Sequence, residues 1–109
     1  MELGRFSVSL NVKDIAASRA FYEALGFAQI AGEQEQGWVI LENGGAKIGL
    51  FHGMFEENLM TFNPPDARSI EKAMREGGYT VDKASEGTEG PCHFSLRDPD
   101  GNPILVDQH

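Results

Sequence analysis

The sequence predicts an α+β protein made of two tandem βαβββ modules that form an open, barrel-like mixed sheet with the helices outside. Three observations predict it. Asp14 opens a helical stretch that ends in Gly26-Phe27, and Asp66 opens another that ends in Gly78-Tyr79, 52 positions further on in each case. The strand before each helix keeps the same shift, so that Val8, Leu10 and Val12 fall on Met60, Phe62 and Pro64. Gly45, Ile48 and Leu50 correspond in turn to Gly101, Ile104 and Val106 at a shift of 56. A unit of half this chain leaves an apolar face uncovered, so two copies are needed for one core.

Residues 6–12 alternate Phe-Ser-Val-Ser-Leu-Asn-Val, the period-2 pattern of a strand with one apolar and one small polar face. Asp14 is an N-cap for a helix over about 15–25, where Phe21 and Leu25 stack at i, i+4. Gly26 then suits the left-handed residue that ends a helix. Residues 27–32 form the next strand, Glu33 to Gln36 a polar turn, and strands over 36–42 and 46–52 are joined at an Asn43-Gly44 hairpin signal. The second half repeats the order, with a strand near 58–63, a helix near 67–76, and strands near 79–84, 91–97 and 103–108. Its helix carries Ala67, Ile70, Ala73, Met74 and Gly77 on one stripe and a Glu71–Arg75 pair at i, i+4. Module one spans about 5–53 and module two about 57–109, and no linker composition separates them, so 1–109 reads as a single domain.

Composition narrows the function. Of the 109 residues, 40% are apolar and 24% charged, as in a globular domain large enough for its own core. Nine basic against seventeen acidic residues give a net charge of −8, which argues against nucleic acid as a partner and suits a cationic ligand. No run approaches the ~18 apolar residues of a membrane span, and the opening Met-Glu-Leu-Gly-Arg lacks a signal-peptide core, so a cytoplasmic location is expected. The single cysteine, Cys92, excludes an internal disulfide. The turn Asp98 to Pro103 has its glycine in fourth place rather than the sixth of an EF-hand loop, and reads as a tight turn with Gly101 at positive φ.

The segments SLNVKDIAASRAFYEALGF at 9–27 and DPDGNPILVDQH at 98–109 resemble the vicinal-oxygen-chelate superfamily, which includes glyoxalase I, extradiol dioxygenases, fosfomycin-resistance enzymes and bleomycin-resistance proteins. The resemblance implies paired βαβββ modules around a ligand cavity, often in a homodimer. It also implies four metal-ligand positions, on the first and fourth strands of each module. These fall on Ser7 and Gly49 in module one and on Leu59 and Leu105 in module two. None is a His, Glu, Asp or Cys, so no metal and no cofactor are expected at the family's usual site.

The same faces supply the candidate ligand contacts. Ser7, Ser9, Leu59 and Thr61 come from the first strands of the two modules, and Gly49, Phe51 and Leu105 from the fourth. Trp38 and His93 correspond at a shift of 55, on strands where Val39, Leu41, Phe94 and Leu96 face the helices. The opposite face then holds Trp38, Ile40, Glu42, His93, Ser95 and Arg97, a mixed aromatic and polar lining. Glu42 and Arg97 either line a cavity or meet solvent at strand ends. Phe55 adds aromatic area near the mouth or belongs to a subunit interface. His52 has the wrong parity for the lining, His109 is terminal, and Cys92 is a buried structural residue that cannot pair with His93 along one strand.

The expected function is therefore metal-independent binding of a small molecule, cationic or aromatic, resembling the bleomycin-resistance proteins, with no catalytic residue named. Two other readings stand beside it. One is a divalent-metal-dependent lyase or dioxygenase of glyoxalase type, with a non-standard site from His52, His93 and a carboxylate. The other is a degenerate member that acts through a protein partner.

Overall fold

The computed structural model describes residues 1–109. The fold is α+β, with seven strands and two α-helices in two compact units. One unit is Ser7–Asn58; the other is Met1–Phe6 together with Leu59–His109.

The first unit contains β1 (Arg5–Asn11, counted here from Ser7), α1 (Ile15–Ala24), β2 (Ala28–Glu33), β3 (Trp38–Asn43) and β4 (Ala46–Phe51), with a 3-10 turn at Gln34–Gln36. Its strands lie in the order β2-β3-β4-β1; β1 and β4 are parallel and the other pairs antiparallel. An Asp14 carboxylate oxygen accepts from the Ala17 N–H at 3.1 Å, which caps α1 as its sequence predicts. Gly26 closes the helix at φ 96°. The hairpin turn sits one residue beyond the expected Asn43-Gly44, because Asn43 pairs with Ala46 and Gly44-Gly45 form the loop, with Gly44 at φ 58°. Strand alternation does the rest. Val39, Leu41 and Leu50 point to the helix side and close around Ile15, with Tyr22, Phe27 and Ile48 packed against them.

The second unit holds β5 (Leu59–Asn63), α2 (Ala67–Glu76), β6 (Cys92–Arg97) and β7 (Pro103–Gln108) in the order β5-β7-β6. Its core is Ala67, Ile70, Cys92, Phe94, Leu96 and Val106. The first residues of the chain belong here, with the Phe6 ring 5.1 Å from that of Phe62. Asp66 caps α2 through the Ser69 N–H at 3.1 Å, the counterpart of the Asp14 cap. Gln108 ties three elements together. Its Oε1 accepts from the Ala67 N–H at 2.8 Å and lies 3.8 Å from the Cys92 sulfur, while its Nε2 donates to the Gly90 carbonyl at 2.9 Å. Cys92 is thus a buried structural thiol, as expected.

Two expectations for this unit are corrected. Residues 79–84 do not form a strand; only Lys83 bridges to Ser95, with Asp82 also bonding the Ser95 carbonyl. Val81 is the one large aliphatic residue of that stretch, and a single inward side chain gives a strand little to bury. The segment that follows is held by side chains instead of a ladder. Arg68 donates to the carbonyls of Glu86, Gly87, Glu89 and Gly90 at 2.7–3.2 Å. Glu71 accepts from the Ser85 N–H at 3.2 Å, from the Ser85 hydroxyl, and from Arg75 at 2.9 Å. The apolar stripe of α2 is also narrower than expected: Ala73 and Gly77 are exposed, and Glu71 is buried beside Ile70.

Burial acts to raise the Glu71 pKa, but hydrogen bonds from Ser85 and Arg75 outweigh it and hold the carboxyl below its ordinary value of 4.5. A carboxyl lowered in the folded state contributes stability that is fully present above its unfolded value and is lost as pH falls through its folded one. Urea titrations from neutral pH to below pH ~4 should therefore show an acid-limb loss of stability that is shallower in Glu71→Gln. Parallel limbs in the two proteins would refute this role.

Candidate functional site

In the first unit, registry aligns the predicted residues into two rows. Ser9 lies opposite Gly49 and Gly49 opposite Ile40; one row along, Asn11 lies opposite Phe51 and Phe51 opposite Trp38. All share the sheet face turned away from α1, because Leu50, Val39 and Leu41 alternate onto the other face. Ser7 and Ser9 are buried on it. Glu42 follows at the end of β3, registered against Lys47 and Ala28. The Trp38 and Phe51 rings stack at 6.5 Å with planes 9° apart, and Phe55 packs against Phe51 at 5.2 Å.

Gly49 is the telling position. A Cβ on residue 49 would stand 2.5 Å from Phe51 Cε2 and 3.1 Å from Ile40 Cδ1. The Phe51 ring therefore covers residue 49, and it is itself packed between Trp38 and Phe55. No side chain fits there while the ring stays in place.

In the second unit, Thr61 lies opposite Leu105 and Leu105 opposite Ser95. Thr61 is buried and Leu59 half-buried, with His93 exposed. Arg97 is engaged locally: Nη1 donates to the Gly101 carbonyl at 2.9 Å, and Nε lies 3.5 Å from Asp82. The turn beside it is the tight one predicted. Gly101 has φ 86°, and Asp98 accepts from the N–H groups of Asp100 and Asn102. The Asn102 side-chain amide, then its backbone N–H, lower the Asp98 pKa against a smaller opposing effect of burial.

Sequence reasoning missed Asp107. It lies opposite His93 in the β6–β7 register, two residues beyond Leu105 and therefore on the same face, so parity alone identifies it. Asn63 Nδ2 bonds the Asp107 carbonyl at 2.9 Å and lies 3.1 Å from Nε2 of the exposed terminal His109. His52 stands apart from these faces, at the end of β4, with Nδ1 3.0 Å from the Val12 carbonyl. It lines an open groove of about 650 Å³ with Asn11, Lys13, Met54 and Phe55 at the strand ends.

A sequence profile of the glyoxalase/bleomycin resistance protein/dioxygenase superfamily matches residues 4–106, and the chain belongs to that superfamily. Among solved structures it is similar to a superfamily member from Vibrio splendidus 12B01, at 19% identity and TM-score 0.75, with 96% of this chain and 98% of that one covered. It is also similar to a protein described as the NAD-dependent benzaldehyde dehydrogenase of Legionella pneumophila (17% identity, TM-score 0.78, covering 94% and 97%). A third is the methylmalonyl-CoA epimerase of Mycobacterium tuberculosis (15% identity, TM-score 0.62, covering 98% and 87%). At these identities the structures establish a shared fold. No curated protein matches the sequence.

Against the four metal positions that the superfamily resemblance implies, the chain offers one hydroxyl, from Ser7, and no side-chain donor from Gly49, Leu59 or Leu105. A divalent ion needs several oxygen, nitrogen or sulfur ligands within about 2.0–2.6 Å. This donor set does not fit one. Elsewhere, no group of three or more His, Cys, Asp or Glu side chains comes together in a way that could hold an ion. No helix is long and apolar enough to cross a membrane.

Proposed function

We propose that this chain binds a small organic molecule without a resident metal ion, in the manner of the bleomycin-resistance members of its superfamily. The observation that carries the reading is the Phe51 ring over Gly49, where the resemblance places an acidic ligand. Aromatic area stands in place of a carboxylate. Trp38 and Phe51 offer stacking surface, Glu42 lies on the same strand face, and a net charge of −8 favours a cation. The candidate contacts are Ser7, Ser9, Trp38, Glu42, Gly49 and Phe51 in the first unit, and Leu59, Thr61, His93, Ser95, Arg97 and Leu105 in the second. The lyase or dioxygenase reading would need metal donors that the four positions lack.

Trp38 is the only tryptophan, so its fluorescence reports on this face alone. Protein purified without chelator is expected to carry less than ~0.1 equivalent of Zn, Ni, Mn or Fe. A panel of cationic and aromatic molecules, glycopeptide antibiotics included, should contain compounds that change Trp38 emission with saturation, and Phe51→Ala should weaken them about tenfold, ~1.4 kcal/mol. Stoichiometric metal, with emission indifferent to every compound, would overturn the proposal.

A further inference from the structure

The fold does not turn at the Asn43-Gly44 pair: Asn43 ends β3, paired with Ala46, and Gly44-Gly45 reverse the chain. An exposed asparagine is thereby set directly before the first residue of a turn. Both turn glycines stand in the open, since a Cβ on either would meet no atom within 4 Å. The Gly44 N–H enters no hydrogen bond of the ladder or the turn. A bare backbone nitrogen therefore follows a side-chain amide, with room for the two to meet. None of the other asparagines, Asn11, Asn58, Asn63 and Asn102, has this combination. Asn63 and Asn102 precede Pro64 and Pro103, whose nitrogens carry no hydrogen. Asn11 precedes Val12, whose N–H is already bonded to the Phe51 carbonyl at 2.8 Å. Asn58 precedes the bulky Leu59, and its Oδ1 accepts from the Asn11 N–H at 2.9 Å. Asp100-Gly101 has the same spacing, but the Gly101 N–H donates to the Asp98 carbonyl at 3.0 Å, and an ionised carboxylate resists a nucleophile.

We propose that Asn43 is a site of self-modification, where the chain converts its own amide to a carboxylate. The Gly44 nitrogen gives up its proton and bonds to Asn43 Cγ. The Cγ–Nδ2 bond breaks, and Nδ2 takes up a proton and leaves as ammonia. One water then opens the cyclic imide. Opening at Cγ gives aspartate; opening at the main-chain carbonyl gives isoaspartate, whose backbone is one methylene longer. The amide's place in the fold gives this step a consequence. Asn43 Nδ2 donates to the Leu25 carbonyl at 3.3 Å, and it covers Gly26, where a Cβ would stand 2.8 Å from it. The side chain thus clasps the β3–β4 hairpin to the end of α1. A carboxylate has no hydrogen to donate there and faces the negative end of the helix dipole, so repulsion replaces the clasp. The extra methylene of isoaspartate also shifts the pairing of residue 43 with Ala46.

The test is to hold the full chain in neutral buffer for weeks and follow it by peptide mapping with mass spectrometry. Asn43 should convert about tenfold faster than Asn11 or Asn58, whose following side chains crowd the attacking nitrogen. Isoaspartate should be among the products, as an isoaspartyl methyltransferase detects. Asn43→Gln, which would need a larger ring, should stay unconverted. The clasp is read separately. The Gly26 and Phe27 N–H groups bond to the Glu23 and Tyr22 carbonyls. Their hydrogen exchange should be about tenfold faster in freshly made Asn43→Asp than in the unmodified chain, with β6 and β7 unchanged. Conversion of Asn43 no faster than that of Asn11 and Asn58, aspartate as the sole product, or unmoved exchange at Gly26 and Phe27 would overturn the proposal.

Discussion

Truncating Phe94 to alanine is expected to lower the free energy of unfolding by about 3–5 kcal/mol, a large part of what a domain of this size has. Phe94 is fully buried, and it is the largest side chain in the chain to be so. It stands on β6 among Ala67 and Ile70 of α2 and Val106 of β7, so its ring joins the helix to the strands of its unit. The repeat supplies a control. Val39 holds the corresponding place on β3, equally buried, and Val39→Ala removes two methyl groups at a cost of about 2 kcal/mol. Urea unfolding of the two variants, at unchanged denaturant slope, should rank Phe94 well above Val39. Equal losses would mean that the α2 side collapses into the gap and that the ring is not its organising contact.

The second large effect belongs to Arg68. Its guanidinium reaches four carbonyls between Glu86 and Gly90, and a fork of five donors can do this where an ammonium cannot. Arg68→Ala should cost about 2–3 kcal/mol, and Arg68→Lys should recover less than half of it. The local consequence is more diagnostic than the global one. A protease specific for glutamate should cut at Glu86 or Glu89 at least tenfold faster in Arg68→Ala, while hydrogen exchange in β6 and β7 changes far less. Unchanged cleavage would show that the segment is held by contacts other than this side chain.

These two residues mark what was legible in the sequence. The alternation of residues 38–42 and 92–97 was sufficient to assign Val39, Leu41, Phe94 and Leu96 to the helix side, because a strand's period of two leaves no third choice. Both aspartate caps and the glycine stops were readable for the same local reason. The course of residues 85–90 was not, since it depends on Arg68 and Glu71 bonding to residues up to 22 positions away. Spacing told nothing of those partners. At the candidate site, parity placed Gly49 and Phe51 on one face, but that the ring of one lies over the other is a matter of rotamer and packing. Phe21 and Leu25 were read as a pair stiffening their own helix; the structure leaves both largely in solvent.

The ring over Gly49 has a consequence for descent. Any larger residue at 49 meets Phe51 before it meets anything else, so the two sites are not free to change in either order. A side chain at 49 requires the Phe51 ring to shift or be lost. Gly49→Glu made in the present background should be poorly folded, and the same change after Phe51→Ala less costly, with the 3.1 Å approach to Ile40 Cδ1 remaining. In this chain a ring at 51 and a side chain at 49 are alternatives for one space, and the ring occupies it.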